Sequence, residues 1–318
     1  MNKKRIIITL LGVIVLIFLI YKIGLSSLIE TLKIFKFNYL LLIILVLLAD
    51  YILSGINIWI ISRPFRKISL LNSIKYTFFT LFFAVILPGK LADLLLIPFL
   101  KREKLNTSQS TIVIFFDKII SLLVKVIFCL IGAIFILKKF NFVFIGIPLI
   151  TLGLILLSLI LINSKRIRDL IKKYILKKYS IIWKGFSRNL KNYQKKYKIY
   201  LIYDLLITLV KNFIEALLFF LLFLSFGQHT NLIEIFFVFN LLSIIILLAS
   251  PVGISGLGIR ELIGVSTFGI IGVNAAVVFN SFILRIALIY IINLTTFIIY
   301  HEDLNLLKKS KIWKKIKF

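Results

Sequence analysis

Apolar residues along this chain do not alternate with polar ones or recur at half-helix spacing. They run on for whole membrane thicknesses. Positions 6–23, 39–62, 112–137, 142–162, 201–226 and 277–300 each approach or exceed the ~20 apolar residues that one crossing needs, and they predict six spanning helices. Two further runs are interrupted. The stretch 76–87 meets Pro88-Gly89-Lys90 before resuming over 91–100, and 232–250 meets Pro251 and a cluster of glycines before resuming over 259–271. Proline withdraws a backbone donor and glycine adds backbone freedom, so neither run continues as one straight helix. Lipid offers the freed backbone groups no partner, so such a break is tolerated at membrane depth only inside protein or beside a water-filled cavity. Each interrupted run therefore predicts a re-entrant helical hairpin, with tips at 88–90 and 251–258. The weakly amphipathic stretch 24–38 is expected at the outer interface.

Composition agrees with this pattern. At 61% hydrophobic residues and a mean hydropathy of +1.07, the chain is far more apolar than a soluble domain. The fold class expected is all-α, a polytopic integral membrane protein. The net charge of +28 suggests nucleic acid until its distribution is considered. The basic residues gather between apolar spans, at Lys3, Lys4 and Arg5, at Arg63, Arg66 and Lys67, around Lys101-Arg-Glu-Lys104, over 164–200 and after position 300. That is the positive-inside pattern of cytoplasmic loops, and no nucleic-acid fold signature accompanies it. It predicts a cell-membrane protein with both termini cytoplasmic, the first span serving as an uncleaved anchor. Lys138 and Lys139 fall outside as a small exception.

The segment 164–200 holds thirteen Lys/Arg against one acid, Asp169. Within it Ile182, Phe186, Leu190, Tyr193 and Tyr197 recur at helical spacing. This predicts an apolar stripe beneath a basic face, lying on the anionic inner leaflet. The segment also divides the chain into a first half, 39–163, and a second, 201–300. In each half an interrupted run follows a span with an acid (Asp50; Asp204) and precedes one with a cation (Lys118; Arg285). Opposite entry of the two hairpins makes an inverted repeat the expected architecture.

The spans carry Asp50, Asp117, Lys118, Lys125, Asp204, Lys211, Glu215, Arg260, Glu261 and Arg285. Each charge costs about 2.5–3.5 kcal/mol near a helix centre if left in lipid, so most are expected to be paired or hydrated. Asp204, Lys211 and Glu215 share one helix face, and Lys211–Glu215 is an i,i+4 pair. Structural pairing between helices and a lining for a polar headgroup both fit these positions. At the second tip, close helix packing explains glycines in general. The sharper reading is that the half-helix after Gly258 turns its N-terminal amides toward the membrane interior, where they bind an anion beside Arg260 and Arg285. Lys90 is the matching cation at the first tip. A Walker A loop, an HExxH motif and a cysteine pair are all missing, Cys129 stands alone, and His229 and His301 fall at or beyond span ends. No cofactor, metal or catalytic residue is expected.

Two elements resemble a known family. Pro88-Gly89-x-x-x-Asp93 with its downstream Lys-Arg cluster is similar to the transmembrane region of lysylphosphatidylglycerol synthases and their stand-alone relatives. Gly256-Leu-Gly-Ile-Arg-Glu261, followed by Arg285 in the next span, is similar too. The resemblance covers roughly 39–300. It departs where Ile254-Ser255 replace a common Pro-Gly and where Asp117-Lys118 replaces an acid–Arg pair. In that family the membrane region is associated with flipping aminoacylated phosphatidylglycerol between leaflets. No soluble aminoacyl-transfer domain follows the last span here, so synthesis of that lipid is not expected.

The function expected is a lipid translocator without its own ATPase. Its substrate-binding residues would be Pro88, Gly89, Lys90, Asp93, Asp117, Lys118, Lys211, Glu215, Gly256, Gly258, Arg260, Glu261 and Arg285. Its partner would be an anionic phospholipid or a polyprenyl-phosphate-linked lipid, with no nucleic acid. A homo-oligomer or a separate lipid-modifying enzyme stays open as a further partner. The enzymatic alternative is a membrane-embedded transferase acting on lipid-linked substrates, against which the missing metal and Asp-rich motifs count.

Overall fold

A computed structural model of the chain describes residues 3–86, 91–135, 142–163, 185–249 and 258–299. All regular structure among the described residues is helical, as the uninterrupted Leu/Ile-rich runs require. The helices are α1 (Lys3–Ile23), α2 (Leu25–Lys33), α3 (Leu40–Ser62), α4 (Leu70–Ile86), α5 (Leu96–Arg102) and α6 (Thr107–Phe135). They continue as α7 (Phe142–Asn163), α8 (Phe186–Lys196), α9 (Lys198–Ser225), α10 (Leu232–Ala249), α11 (Ile259–Gly269) and α12 (Ala275–Ile299). A 3-10 turn, Phe37–Tyr39, leads into α3, and another, Leu91–Leu95, leads into α5.

By length and composition, Phe37–Ser62, Lys198–Ser225 and Ala275–Thr295 each suffice to cross a membrane. A fourth crossing follows if α1 and α2, bent by 78° at Gly24, are taken together. Gly24 sits at φ 89, a backbone region open to glycine but strained for other residues, and it lets the chain turn sharply there. At 29 residues α6 is about 43 Å long, and it carries Asp117, Lys118 and Lys125 along that length.

The centre of the molecule is α3 laid along α9. On each of them packs the first part of an interrupted run, α4 on α3 and α10 on α9. The partners then cross over. Helix α12 of the second half packs on α4, and α6 of the first half packs on α10. The short helices after the breaks lean on the neighbouring long ones, α5 on α6 and α11 on α12. Small residues permit these approaches: a side chain on Gly55 would strike Ile74, one on Gly132 would strike Phe237, and one on Gly264 would strike Phe282. Aromatic packing fills the centre, with Phe219 in ring contact with Phe223, Phe239, Phe268 and Phe282.

One sequence expectation changes here. The stripe on α8 does not face a lipid surface. Phe186, Leu190 and Tyr193 are buried against α6 and the end of α3, and the Tyr193 hydroxyl donates to the Ile61 carbonyl at 2.9 Å. Asn189 adds a hydrogen bond to the Ser108 hydroxyl at 3.1 Å. Burial pushes the Tyr193 phenol well above its ordinary range, so it stays a donor. Arg188, Lys191, Lys195 and Lys196 occupy the exposed face. Apolar side chains bury equally well in lipid or in protein, and periodicity alone cannot distinguish the two. Ile182 and the rest of 164–184 lie outside the described residues.

Candidate functional site

The charged side chains of the spans form a run across several helices. At its first end, Lys118 of α6 lies 3.0 Å from Asp117 and 3.3 Å from Asp93, so one ammonium serves two carboxylates. Asp93 comes from the 3-10 turn after the first break, which α6 supports. Glu103 ties the end of α5 to α4 by accepting from the Tyr76 hydroxyl at 2.6 Å and the Asn72 amide at 2.9 Å.

In the middle the ratio is reversed. Glu215 of α9 lies 2.6 Å from Lys125 of α6 and 3.9 Å from Lys211 one turn back on its own helix. Lys125 also reaches the Ser243 hydroxyl of α10 at 3.4 Å. The i,i+4 pair read from sequence is thus the longer contact, and an interhelical lysine holds the carboxylate more closely. Asp50 of α3 is within electrostatic reach of Lys211, Glu215, Arg285 and Lys125. Amide contacts fix the helices around these charges: Asn57 donates to Thr208 across α3 and α9, and Asn212 donates to Asn240 across α9 and α10, each at 2.9 Å.

At the second break, Gly258 has φ 82, and an added side chain there would strike the backbone of Gly12 in α1. Glu261 is fully buried, and its carboxylate accepts from the Gly258 backbone amide at 2.5 Å. It therefore occupies the N-terminus of α11, the place an external anion was expected to take. Arg285 sits 5.5 Å from the centre of the Phe219 ring. Arg260 is within reach of the charge on Arg285. Among the described residues neither arginine forms an ion pair.

Asp93, Asp117 and Lys118 are therefore brought together, as are Lys211 and Glu215, and Gly258 with Glu261. Arg260 and Arg285 stand near one another. Pro88, Gly89, Lys90 and Gly256 lie outside the described residues. Lys125 and Asp50, expected from sequence only as charges of the spans, were not among the substrate-binding residues, and the amide pairs were not foreseen. Their signal was present, because Asp50 and Asn57, Lys118 and Lys125, and Asp204 and Lys211 are each two turns apart on one helix face. Among the described residues no three His, Cys, Asp or Glu side chains converge as a metal cage.

Residues 5–296 match the family described as the lysylphosphatidylglycerol synthase TM region. The chain belongs to that family. As a lysylphosphatidylglycerol synthase TM-region protein it is membrane-embedded and multi-pass, and its function relates to membrane lipid. The matched region takes in α1 through most of α12, so the charged run lies within it. Comparison with curated proteins and with solved structures gave no match.

Proposed function

We propose that this protein moves an anionic lipid headgroup between leaflets without an ATPase of its own. The observation that carries the reading is the charged run between the two helix breaks. It passes from Asp93, Asp117 and Lys118, through Lys125, Lys211, Glu215 and Asp50, to Arg285 and Arg260. Charges at this depth are costly in lipid, and a passing headgroup would give them a polar partner. The headgroup phosphate would meet Arg260 and Arg285, which lack carboxylate partners among the described residues, while Lys118 and Lys211 relay it. Acyl chains would remain in the surrounding lipid. A phospholipid and a polyprenyl phosphate share the anionic group these cations recognise.

In this reading the two halves, 39–163 and 201–300, form an inverted repeat around the basic segment 164–200. Six spans and two oppositely entered hairpins then bring both termini to the cytoplasm. The exchange of packing partners between halves, α12 on α4 and α6 on α10, supports that arrangement.

Liposomes holding the purified chain and a trace of fluorescent phosphatidylglycerol, or of fluorescent polyprenyl phosphate, test the proposal. An impermeant reductant should reach inner-leaflet probe only when protein is present. Arg285→Ala should slow this on the order of tenfold, matching a lost interaction of about 1.4 kcal/mol, and Arg285→Lys should slow it less because the charge is retained. Protein-free rates with both probes, from a chain of unchanged thermal stability, would refute the proposal.

A further inference from the structure

Helix α9 carries a carboxylate that the headgroup path leaves unused. Asp204 is fully buried, and neither of its oxygens has a hydrogen-bond partner among the described residues. The groups facing it are Asp117 and Lys118 from α6, Lys211 from its own helix, and Tyr193 from α8, which Tyr200 also faces. From α3, Asp50 faces Lys211. Lys118 is already engaged by Asp93 and Asp117, and Lys211 points toward Glu215. Lys118 thus already serves two carboxylates, and Asp204 lies within electrostatic reach of Lys118 and Lys211 without a hydrogen bond to either. A buried carboxylate that receives no donor carries an uncompensated charge, which a proton taken from water would neutralise.

We infer that Asp204 is a proton-binding site whose loading accompanies the headgroup. A phosphate held by Lys118 and Lys211 cancels the cationic field those lysines present to Asp204, so the carboxylate then takes its proton more readily. Linkage makes the effect mutual: a protonated Asp204 leaves Lys118 and Lys211 freer for phosphate. Hydronium on one side gives its proton to the Asp204 carboxylate and becomes water. On the other side the carboxyl returns that proton to water, and no other bond changes. One negative headgroup and one proton thus move together. The coupling rests on the proposed translocation, whereas the proton site rests on this carboxylate alone.

Infrared difference spectra of the full chain in liposomes, stepped across pH in sodium-free buffer, test the site directly. The expected result is a protonated-carboxyl band that titrates in the unmodified chain and is lost in Asp204→Asn. In Asp204→Glu, which keeps the carboxyl, it should reappear at a shifted frequency. Melting temperatures show whether each variant folds. A band identical in Asp204→Asn, or one that follows added sodium at fixed pH, would overturn the site. In the transport assay, a gradient of about one pH unit should shift the leaflet distribution of fluorescent phosphatidylglycerol by up to about tenfold for one coupled proton. Asp204→Asn should abolish that response. If the band titrates but headgroup movement ignores the gradient, the coupling is wrong. If the band titrates and no headgroup moves in any variant, the translocation proposal falls and the proton site stands.

Discussion

Glu215 shows how one residue holds the membrane interior together. Its carboxylate lies between Lys125 of α6 and Lys211 of α9, so removing its charge leaves two ammonium groups with Asp50 as the carboxylate still within reach of both. Breaking a buried ion pair by deleting one partner costs about 3–5 kcal/mol. Glu215→Gln should therefore lower the melting temperature in detergent far more than Lys211→Met, whose contact is the longer one. Adding Lys125→Met to Glu215→Gln should recover part of the loss, and a double-mutant cycle would measure the coupling. Gly258 is constrained in a different way. Its positive φ and its closeness to Gly12 leave no room for a methyl group, so Gly258→Ala should destabilise by more than ~1 kcal/mol. The same change at Gly269, where nothing lies within 4 Å of the added atom, should cost much less in the same melting assay.

Among elements, α8 combines two roles that its sequence presents together. Its apolar face closes the protein over α6 and the end of α3, and its basic face remains exposed. Tyr193→Phe keeps the packing and removes the hydrogen bond to Ile61, which should cost about 0.5–1.5 kcal/mol. Leu190→Ala opens a cavity beneath the helix and should cost about 2–5 kcal/mol. Lys191→Gln with Lys195→Gln touches neither contact. That variant should melt as the unmodified chain does, while protein from all three is compared by thermal unfolding in one detergent. A large loss from the lysine changes, with none from Leu190→Ala, would mean that α8 is not docked through this stripe.

At the scale of the whole molecule, the proposed inverted arrangement makes a prediction about sidedness. With Cys129 replaced by Ser, single cysteines at Gln228 and Gly272 should react with an impermeant thiol reagent added outside. Cysteines at Lys104 and Lys195 should react only after the membrane is opened. External labelling at position 195 would invert α8 and remove the basis for opposite entry of the two hairpins. The proposed repeat also implies that each half stabilises the other. Helix α4 is completed by α12 and α10 by α6, so neither half buries its own interrupted run alone.

The order of residues alone established the all-α membrane class, because runs such as 39–62 and 201–226 leave no other way to satisfy the backbone in lipid. It also located Gly258 and Glu261 at one helix start and Asp93 beside a break, since proline, glycine and charge act locally. Helical spacing placed Lys211 near Glu215. Which charges meet across helices depended on how the bundle packs. Nothing in the order of residues pairs Lys125 with Glu215, 90 positions apart, or brings Lys118 to both Asp93 and Asp117. Nor could it show that Phe186, Leu190 and Tyr193 face protein, because the hydrophobic pattern records that a side chain leaves water and not what receives it. Pairing depends on how neighbouring helices rotate and approach, and that is set by the packing of the whole bundle.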